Sequence, residues 1–366
     1  MGEKFCHLSM EKRYKLEIML SEKYKIDYIA KKLGVHRSTI YREKKRATYM
    51  HRNSDWTEEE RYAPETAHKK YRERLKEKGK ELKIGKNIEY ANFIENKIVN
   101  EKYSPAAALM EAEKRNFGIR IGVSTLYSYI DKDIFYKLTN KNLPVKSKKK
   151  GKRKYNKVHK RKAAGTSIEE RPKEIETREE FGHWEMDTVV GAQGKSKESF
   201  LVLTERKTRN EIVAVLKRHT TEQVVKALNR MEKHIGTENF KKIFKTITVD
   251  NGTEFSDADG MEKVRRSMQS RTKVYYCHPY SSGERGSNEN NNRLIRRHIK
   301  KGENFDGITK NQVRKLQDWI NTYPRRLLNK RSSSELFEEE LDKMRDELSD
   351  LDKIKAEFLP RKVKEA

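Results

Sequence analysis

The chain has few cysteines, few apolar residues and no long hydrophobic run. Its 366 residues include two cysteines, Cys6 and Cys277, which are too few for a disulfide framework or a cysteine zinc site and indicate a reducing cytosol. No apolar stretch is long enough to span a membrane, and the chain does not open with a signal-peptide pattern. We therefore expect a soluble, cytoplasmic protein that does not associate with membranes.

Acidic residues are also in deficit. Lys and Arg number 84 against 56 Asp and Glu, so the formal net charge is +28 and the sequence pI is about 9.7. Such an excess favours a polyanionic partner, most often nucleic acid, although a lysine-rich proteome with solvated surfaces would also produce it. Apolar residues make up only 34% of the chain, and the mean hydropathy is −1.06. At this length we expect small helical modules together with one compact catalytic domain.

Residues 1–50 have the pattern of a helix-turn-helix DNA-binding domain. An apolar stripe precedes Gly34, which supplies the turn, and Ser38 and Thr39 precede or cap a second helix that carries Ile40. A two-helix hairpin with another role is the alternative. The second helix presents residues that suit phosphates and guanine edges: Arg37, Ser38, Thr39, Tyr41, Arg42, Lys44 and Lys45.

A weaker version of this pattern recurs in residues 84–131. Ser104 and Pro105 open a helix, since proline is tolerated in the first helical turn. Residues 124–127 read Ser-Thr-Leu-Tyr, which repeats the Ser-Thr-Ile-Tyr of 38–41. We therefore predict a second helical module, which is either another helix-turn-helix or a helical spacer.

A basic linker is predicted at residues 140–178. Its lysine-rich tract, 146–162, cannot bury a core and repels itself, so it should be extended, either along a DNA backbone or as a plain solvated linker. A charged C-terminal helix is predicted at 336–366. Its apolar spacing allows packing on its own domain or a short coiled-coil seam with Lys355 in a core position.

Residues 179–335 alternate strand-like and helix-like patterns. Three strands, a helix, a strand and further helices predict an α/β RNase-H-like core of the integrase type, with a mixed sheet. The predicted strands are Trp184–Val190, Phe200–Glu205, Ile212–Leu216, Ile243–Val249 and Lys273–Cys277. The predicted helices are Thr220–Ile235 and Gly286–Lys301.

Three carboxylates in this core are the candidate catalytic and metal-binding residues: Asp187, Asp250 and Glu289. Phosphodiester cleavage needs an in-line oxygen nucleophile and help for the leaving oxygen, which two Mg²⁺ ions about 3.5–4 Å apart can supply. Mg²⁺ prefers hard oxygen ligands. We expect Asp187 to bridge both ions, Asp250 to hold one and Glu289 the other, with Mn²⁺ as a substitute metal.

Other acids compete for these roles. Glu185 shares a strand face with Asp187 and is either a neighbour of the site or solvated. Glu254 follows Asp250 by one turn and is better suited to orienting a loop, whereas Glu284 precedes the predicted helix and is the main rival to Glu289. Basic residues follow Glu289 at helical spacing, where a DNA strand must lie beside the metals: Arg293, Arg296 and Lys300.

At these residues the chain resembles bacterial insertion-sequence transposases of the IS-thirty family, within the DDE group that includes retroviral integrases. The resembling segments are Gly182–Gly191, Asp250–Phe255 and His278–Asn290, and the likeness extends over nearly the whole chain. The family's catalytic acids fall on Asp187, Asp250 and Glu289. The chain departs from the family in having 38 residues between the second and third acids, which is longer than the family's usual interval. Counting the usual interval would select Glu284 as the third acid, whereas the motif selects Glu289.

The resemblance implies a course of reaction and a set of partners. The amino-terminal module would recognise terminal inverted repeats, and the core would nick one strand and transfer its 3′-hydroxyl to another end or to target DNA. Two active sites must then meet, so a homodimer or a higher synaptic assembly on double-stranded DNA, in a bacterial nucleoid, is expected. A regulator with an inactive core and a structure-selective nuclease are the alternatives.

Overall fold

A computed structural model describes residues 7–77, 82–85, 87–144, 165–264, 269–278 and 286–360, with the backbone alone at 76, 77, 287 and 289. The chain divides into two compact units, Met1–Gly85 and Lys86–Ala366. Across the described residues, none of the helices has the length and apolar character needed to cross a membrane.

The first unit is a helix-turn-helix followed by a hairpin and a further helix. Its elements are α1 Met10–Ser21, α2 Ile26–Leu33, α3 Arg37–Ala47, β1 Thr48–Arg52, β2 Glu58–Tyr62 and α4 Pro64–Glu77. Gly34 ends α2 with φ +65°, a left-handed conformation that favours glycine, and this turn redirects the chain into α3. The antiparallel hairpin of β1 and β2 was not predicted from the sequence.

The core of the first unit combines apolar packing with one buried ion pair. Leu16, Ile29 and Ile40 are fully buried. Beside them the Glu43 carboxylate on α3 accepts a hydrogen bond at 2.5 Å from the Arg13 guanidinium on α1, and both side chains are buried. Because removing one partner of such a pair leaves an uncompensated buried charge, this contact fixes α3 against α1.

The second unit begins with three helices, α5 Ile88–Val99, α6 Pro105–Lys114 and α7 Val123–Asp131. Ser104 caps α6 and Pro105 occupies its first turn, as predicted. Leu126 is fully buried at the start of α7, as Ile40 is near the start of α3, so the repeated sequence pattern has the same inward position in both helices. The segment 115–122 that joins α6 to α7 is longer than the turn between α2 and α3, and a DNA-reading role for this module stays a prediction.

A five-stranded mixed sheet organises the rest of the second unit, in the order β5-β4-β3-β6-β7. Strands β3, β4 and β5 pair antiparallel, whereas β6 and β7 run parallel to β3. This is the predicted RNase-H-like arrangement. The strands are β3 His183–Val190, β4 Ser199–Glu205, β5 Glu211–Leu216, β6 Thr246–Val249 and β7 Lys273–Tyr276.

Eight helices accompany this sheet within the described residues. They are α8 Glu174–Thr177, α9 Thr221–Ile235, α10 Thr237–Ile243, α11 Ala258–Glu262, α12 Gly286–His298, α13 Lys310–Thr322, α14 Ser333–Lys343 and α15 Leu351–Phe358. The predicted strand Ile243–Val249 was wrong at its start, because Ile243 ends α10 and β6 begins at Thr246. An apolar run cannot by itself distinguish a buried helix end from a buried strand.

The two faces of the sheet differ in character. Trp184 and Met186 on β3 point into an apolar core shared with α9, α10, α14 and α15. The alternate residues Glu185 and Asp187 point to the opposite face, where they bond to α12. The sheet therefore presents one face whose apolar core stabilises the fold and an opposite face that receives the helix carrying Glu289. This second face is called the polar face for its Glu185 and Asp187, although it also carries the buried Phe200 and Val202.

The C-terminal region packs on its own domain. Where one charged helix was expected over 336–366, the structure has the end of α14 and then α15, which begins at Leu351. Phe337, Leu341 and Phe358 belong to the apolar core, which leaves no free coiled-coil seam in the described part of this region. Lys355 is not in a core position, because its ammonium donates to the Asp342 carboxylate at 2.8 Å.

The predicted basic linker is described only in part. Its lysine-rich tract, 146–162, lies outside the described residues. Beyond the tract, Ser167 bridges to Tyr276 on β7, and Arg171 donates to the Thr248 hydroxyl on β6 at 2.8 Å. The end of the predicted linker is thus attached to the sheet.

Candidate active site

Asp187 lies within β3, and Asp250 directly follows β6, the neighbouring parallel strand. β3 pairs with β6 through His183 with Thr246 and Glu185 with Thr248. Continuing this register by two residues brings Asp187 beside Asp250, and residues in register on parallel strands point to the same face. Neighbouring strands are about 4.8 Å apart, so the two aspartates are side by side on the sheet.

Hydrogen bonds orient both carboxylates. Asp187 accepts at Oδ1 from the backbone N–H of Thr188 at 2.9 Å and at Oδ2 from the Asn292 amide at 2.8 Å. Asp250 accepts at Oδ1 from the backbone N–H of Gly252 at 2.9 Å. A Cβ at position 252 would lie 2.9 Å from that oxygen and would also collide with Glu254, which explains why glycine follows Asp250 and Asn251.

The third candidate acid, Glu289, lies in the first turns of α12. Asn288 and Asn292, on either side of it, contact Glu185 and Asp187 on β3. Since residues three apart are neighbours on a helix, the Glu289 backbone lies one turn from the amide that touches Asp187. The rival acid Glu284 lies outside the described residues.

The chemistry of the donor set fits a hard divalent cation. Asp187 and Asp250 offer carboxylate oxygens, which are the hard donors that Mg²⁺ prefers. Among the side chains that the structure describes, no group of three His, Cys, Asp or Glu residues could hold a metal ion, and the Glu289 side chain is not among them. Asp187 and Asp250 are the described members of the predicted acidic set, and a Mg²⁺ site formed by them stays a prediction.

Glu185 is an integral part of the polar face, which sequence reasoning left open. Its side chain is fully buried and accepts at Oε1 from the Arg206 guanidinium at 2.8 Å. Arg206 is itself buried, and burial lowers its pKa because the charged form loses hydration. The spacing of Glu185 and Asp187 on one strand was the available signal, but Arg206 could not be assigned as its partner without the pairing of β3 with β4.

Glu254 links the two segments that carry Asp187 and Asp250. Its Oε1 accepts from the Thr188 hydroxyl at 2.7 Å and contacts the His219 imidazole Nε2 at 2.9 Å. Thr188 follows Asp187, and Glu254 lies in the turn after Asp250. Glu254 therefore orients a loop, as predicted, and the part played by His219 was missed.

The basic residues predicted at helical spacing after Glu289 divide into two kinds. Arg293, on α12, and Lys300, beyond the end of α12 at His298, are exposed. Arg296 instead donates to the Val190 carbonyl at 2.8 Å and stacks on the Phe305 ring, and burial lowers its pKa. The helical spacing was correct for Arg293 and Arg296 but wrong for Lys300, because the predicted helix to Lys301 was too long. Arg296 attaches α12 to the end of β3, so Arg293 and Lys300 are the exposed members of the three.

Comparisons with known proteins identify both parts of the chain. Residues 177–282 match the model of the integrase core domain, and residues 4–47 match that of a helix-turn-helix domain. The chain is 28% identical over 339 residues to the transposase for insertion sequence element IS4351 of Bacteroides fragilis, covering 91% of this chain and 96% of that protein. It is 25% identical over 343 residues to transposase InsI for IS30A of Escherichia coli (strain K12), covering 91% and 84%.

A further relative matches this chain over almost the whole of the relative's own length. It is the putative integrase ORF3 of Spiroplasma virus SpV1-R8A2 B, 30% identical over 344 residues, which cover 91% of this chain and 98% of that protein. The chain belongs to the IS-thirty family of insertion-sequence transposases. This membership implies DNA cleavage and transfer chemistry for the transposase, and its helix-turn-helix implies DNA binding.

In this transposase α3 has one buried face and one exposed basic face. Ile40, Glu43 and Ala47 are buried. The residues predicted to contact DNA lie elsewhere on the helix: Arg37, Tyr41, Arg42 and Lys45 are exposed, and Ser38, Thr39 and Lys44 are half-buried. α3 therefore has the character of a recognition helix.

The start of α3 differs from the prediction. His36 is the N-cap residue, and its Nδ1 accepts from the backbone N–H of Ser38, so Ser38 and Thr39 lie inside the first turn and do not cap the helix. An imidazole can replace the usual side-chain oxygen as acceptor because its unprotonated nitrogen has a lone pair.

Proposed function

We propose that this transposase binds the terminal inverted repeats of an insertion sequence and catalyses metal-dependent strand cleavage and strand transfer with Asp187, Asp250 and Glu289. The observation that supports this most strongly is the register of β3 and β6, which aligns the two aspartates beneath the helix that carries the glutamate. Bound Mg²⁺ would supply Lewis-acid activation of the phosphodiester and of the attacking oxygen.

The residues of the chain prepare the site for this chemistry. Thr188 and Asn292 fix the two oxygens of Asp187, and Gly252 fixes one oxygen of Asp250, so both carboxylates are held in defined orientations. The exposed Arg293 on α12 and Lys300 just beyond its end would neutralise DNA phosphates beside the acids. Because both strands of an element and its target must be processed, a homodimer or a higher synaptic assembly is part of the proposal.

Recognition of element ends is assigned to α3, and Arg42→Ala tests it. The exposed Arg42 guanidinium would contact a phosphate or a base edge, so its loss should weaken end binding about 10-fold and reduce the slope of log affinity against log salt by about 1 if the contact is to a phosphate. Titration of labelled end DNA at several salt concentrations measures both quantities. Lys15→Ala, an exposed lysine of α1 paired with Glu11, is the matched control and should change neither. Equal affinities for Arg42→Ala and the wild type would remove α3 from the interface.

The catalytic assignment is tested by cleavage of labelled DNA that contains the element's own ends. Wild type, Glu289→Gln and Glu284→Gln are compared with Mg²⁺ and with EDTA. We expect nicking that requires Mg²⁺ and is lost in Glu289→Gln but retained in Glu284→Gln, because Glu289 lies on α12 one turn from Asn292, whose amide contacts Asp187. Loss in Glu284→Gln alone would transfer the third role to that residue. End binding without nicking in any metal would instead indicate a regulator with an inactive core.

A further inference from the structure

The first turns of α12 contact the sheet through polar groups. Asn288 and Asn291, both fully buried, contact Glu185 on β3 and Thr204 on β4. Arg325 donates to the Asn291 side-chain oxygen at 2.8 Å from the other side. Helices usually dock on sheets through apolar side chains, which tolerate small shifts, whereas hydrogen bonds fix position and orientation.

Glu185 occupies a particular place in this junction. Its Oε2 accepts from the backbone N–H of Asn288 at 3.2 Å. Asn288 is the third residue of α12, so its N–H is one of the four at a helix start that have no partner within the helix. A carboxylate here satisfies one of these groups and interacts favourably with the positive end of the helix dipole. Glu185 thus acts as a cap supplied by the central strand.

The partners of Glu185 hold its charge in place. Its other oxygen, Oε1, pairs with Arg206, and both side chains are almost completely excluded from solvent, with relative exposures of 0% for Glu185 and 1% for Arg206. Arg206 also reaches Glu176 at 3.4 Å. A buried carboxylate between a guanidinium and a helix start cannot rotate away without leaving a buried charge uncompensated.

We infer that Glu185 is a positioning residue for the third catalytic acid. By capping α12 at Asn288, Glu185 fixes the position of the next residue, Glu289, relative to the sheet. Asp187 lies two residues after Glu185 on the same strand, β3. The bond from Asn292 to Asp187 fixes the following turn of the helix. The inference rests on the proposed function, because it assigns to Glu185 the orientation of one of the acids named there.

Two other roles for Glu185 lead to different results. If its pair with Arg206 only stabilises the fold, its loss would lower stability throughout the core and would not act selectively on α12. If Glu185 were itself a metal ligand, its loss would change the response to metal without changing α12 in the metal-free protein. Hydrogen exchange separates these roles, since it reports local opening of individual segments.

The first test is hydrogen exchange on the full-length, metal-free protein. In Glu185→Ala we expect the amides of 286–292 to exchange at least about 10-fold faster than in the wild type, measured relative to the amides of β4. Glu185→Gln, which keeps an acceptor oxygen, should restore part of the protection. Glu232→Ala is the matched control, because it breaks another buried ion pair, in which Glu232 on α9 lies 2.7 Å from Arg271. It should leave exchange at 286–292 unchanged relative to β4.

The second test follows nicking of end DNA against Mg²⁺ concentration. Glu185→Ala should need at least about 10-fold more Mg²⁺ for half-maximal nicking, because metal binding must then also order α12. End binding by Glu185→Ala, and the Mg²⁺ response of Glu232→Ala, should stay as in the wild type. Wild-type exchange at 286–292 in Glu185→Ala would overturn the inference, and if the Mg²⁺ response still changed, Glu185 would be a metal ligand. Failure of the wild type to nick in any metal would overturn the proposed function instead, and the exchange experiment would still decide whether Glu185 holds α12.

Discussion

Replacing Asp250 by asparagine should abolish strand cleavage and leave binding to the element ends unchanged. The asparagine has the same shape and can still accept the Gly252 hydrogen bond at Oδ1. It lacks the negative charge that a hard divalent cation requires, and losing several kcal/mol of metal-dependent stabilisation corresponds to a loss in rate on the order of 1,000-fold. Nicking of labelled end DNA under single-turnover conditions, with binding measured in parallel, checks both parts of the prediction.

A neighbouring aspartate provides a matched control for this substitution. Asp257 caps α11 and accepts from the Gly260 N–H at 2.8 Å, a role that asparagine can also fill. Asp257→Asn should therefore nick like the wild type, whereas Asp187→Asn should fail as Asp250→Asn does. Nicking by Asp250→Asn at the wild-type rate would be incompatible with the active-site assignment.

The parts of the fold that the sequence predicted are those set by local pattern. Alternation and apolar runs placed β4 and β5 within one residue of their observed starts, and the stripe of α9 was recognised in the same way. The hairpin of β1 and β2 was missed because consecutive glutamates at 58–60 give no alternation. Local pattern also could not show that residues 344–350 interrupt the C-terminal helix.

In the candidate site, too, only the features set by local sequence pattern could be predicted. Asp187 and Asp250 were identifiable because each lies in a recognisable segment near a strand end. Their alignment depends on the register of β3 with β6, and the capping of α12 by Glu185 joins residues 103 positions apart. Arg296 shows the opposite error, since helical spacing correctly put it on one line with Arg293 but could not show that Val190 and Phe305 bind its guanidinium.

The same polar face contains a buried acid whose ionisation should make the stability of the core depend on pH. Glu211 on β5 is fully buried, and neither carboxylate oxygen has a hydrogen-bond partner among the described residues. Burial raises the pKa of Glu211 to about 8, and the positive charge of Arg325 opposes this only in part. Burial also raises the pKa of Glu205, to about 7, despite bonds from Thr208 and Gly182.

The direction of this pH effect follows from the difference between the pKa of Glu211 in the unfolded chain and its pKa in the folded chain. Below the ordinary value of 4.5 the carboxyl is protonated in both the folded and the unfolded chain, and its full contribution to stability is present. Between 4.5 and about 8 the unfolded chain releases the proton while the folded chain retains it, so stability falls as pH rises. The accumulated loss is about 4 kcal/mol at pH 8 and above.

Glu211→Gln should therefore stabilise the core at pH 8 relative to its effect at pH 5, by about 3–4 kcal/mol in the free energy of unfolding, because part of the loss is already present at pH 5. Any cost of burying the amide is the same at both pH values and cancels from the comparison. Urea unfolding followed by tryptophan fluorescence reports on the core, since Trp184 is fully buried there whereas Trp56 in the first unit is 79% exposed. Glu238→Gln, at an exposed acid whose pKa is lowered by Lys241, is the control and should show no such gain at pH 8. An equal effect of Glu211→Gln at pH 5 and pH 8 would mean that Glu211 is already ionised in the folded protein, paired with Arg325.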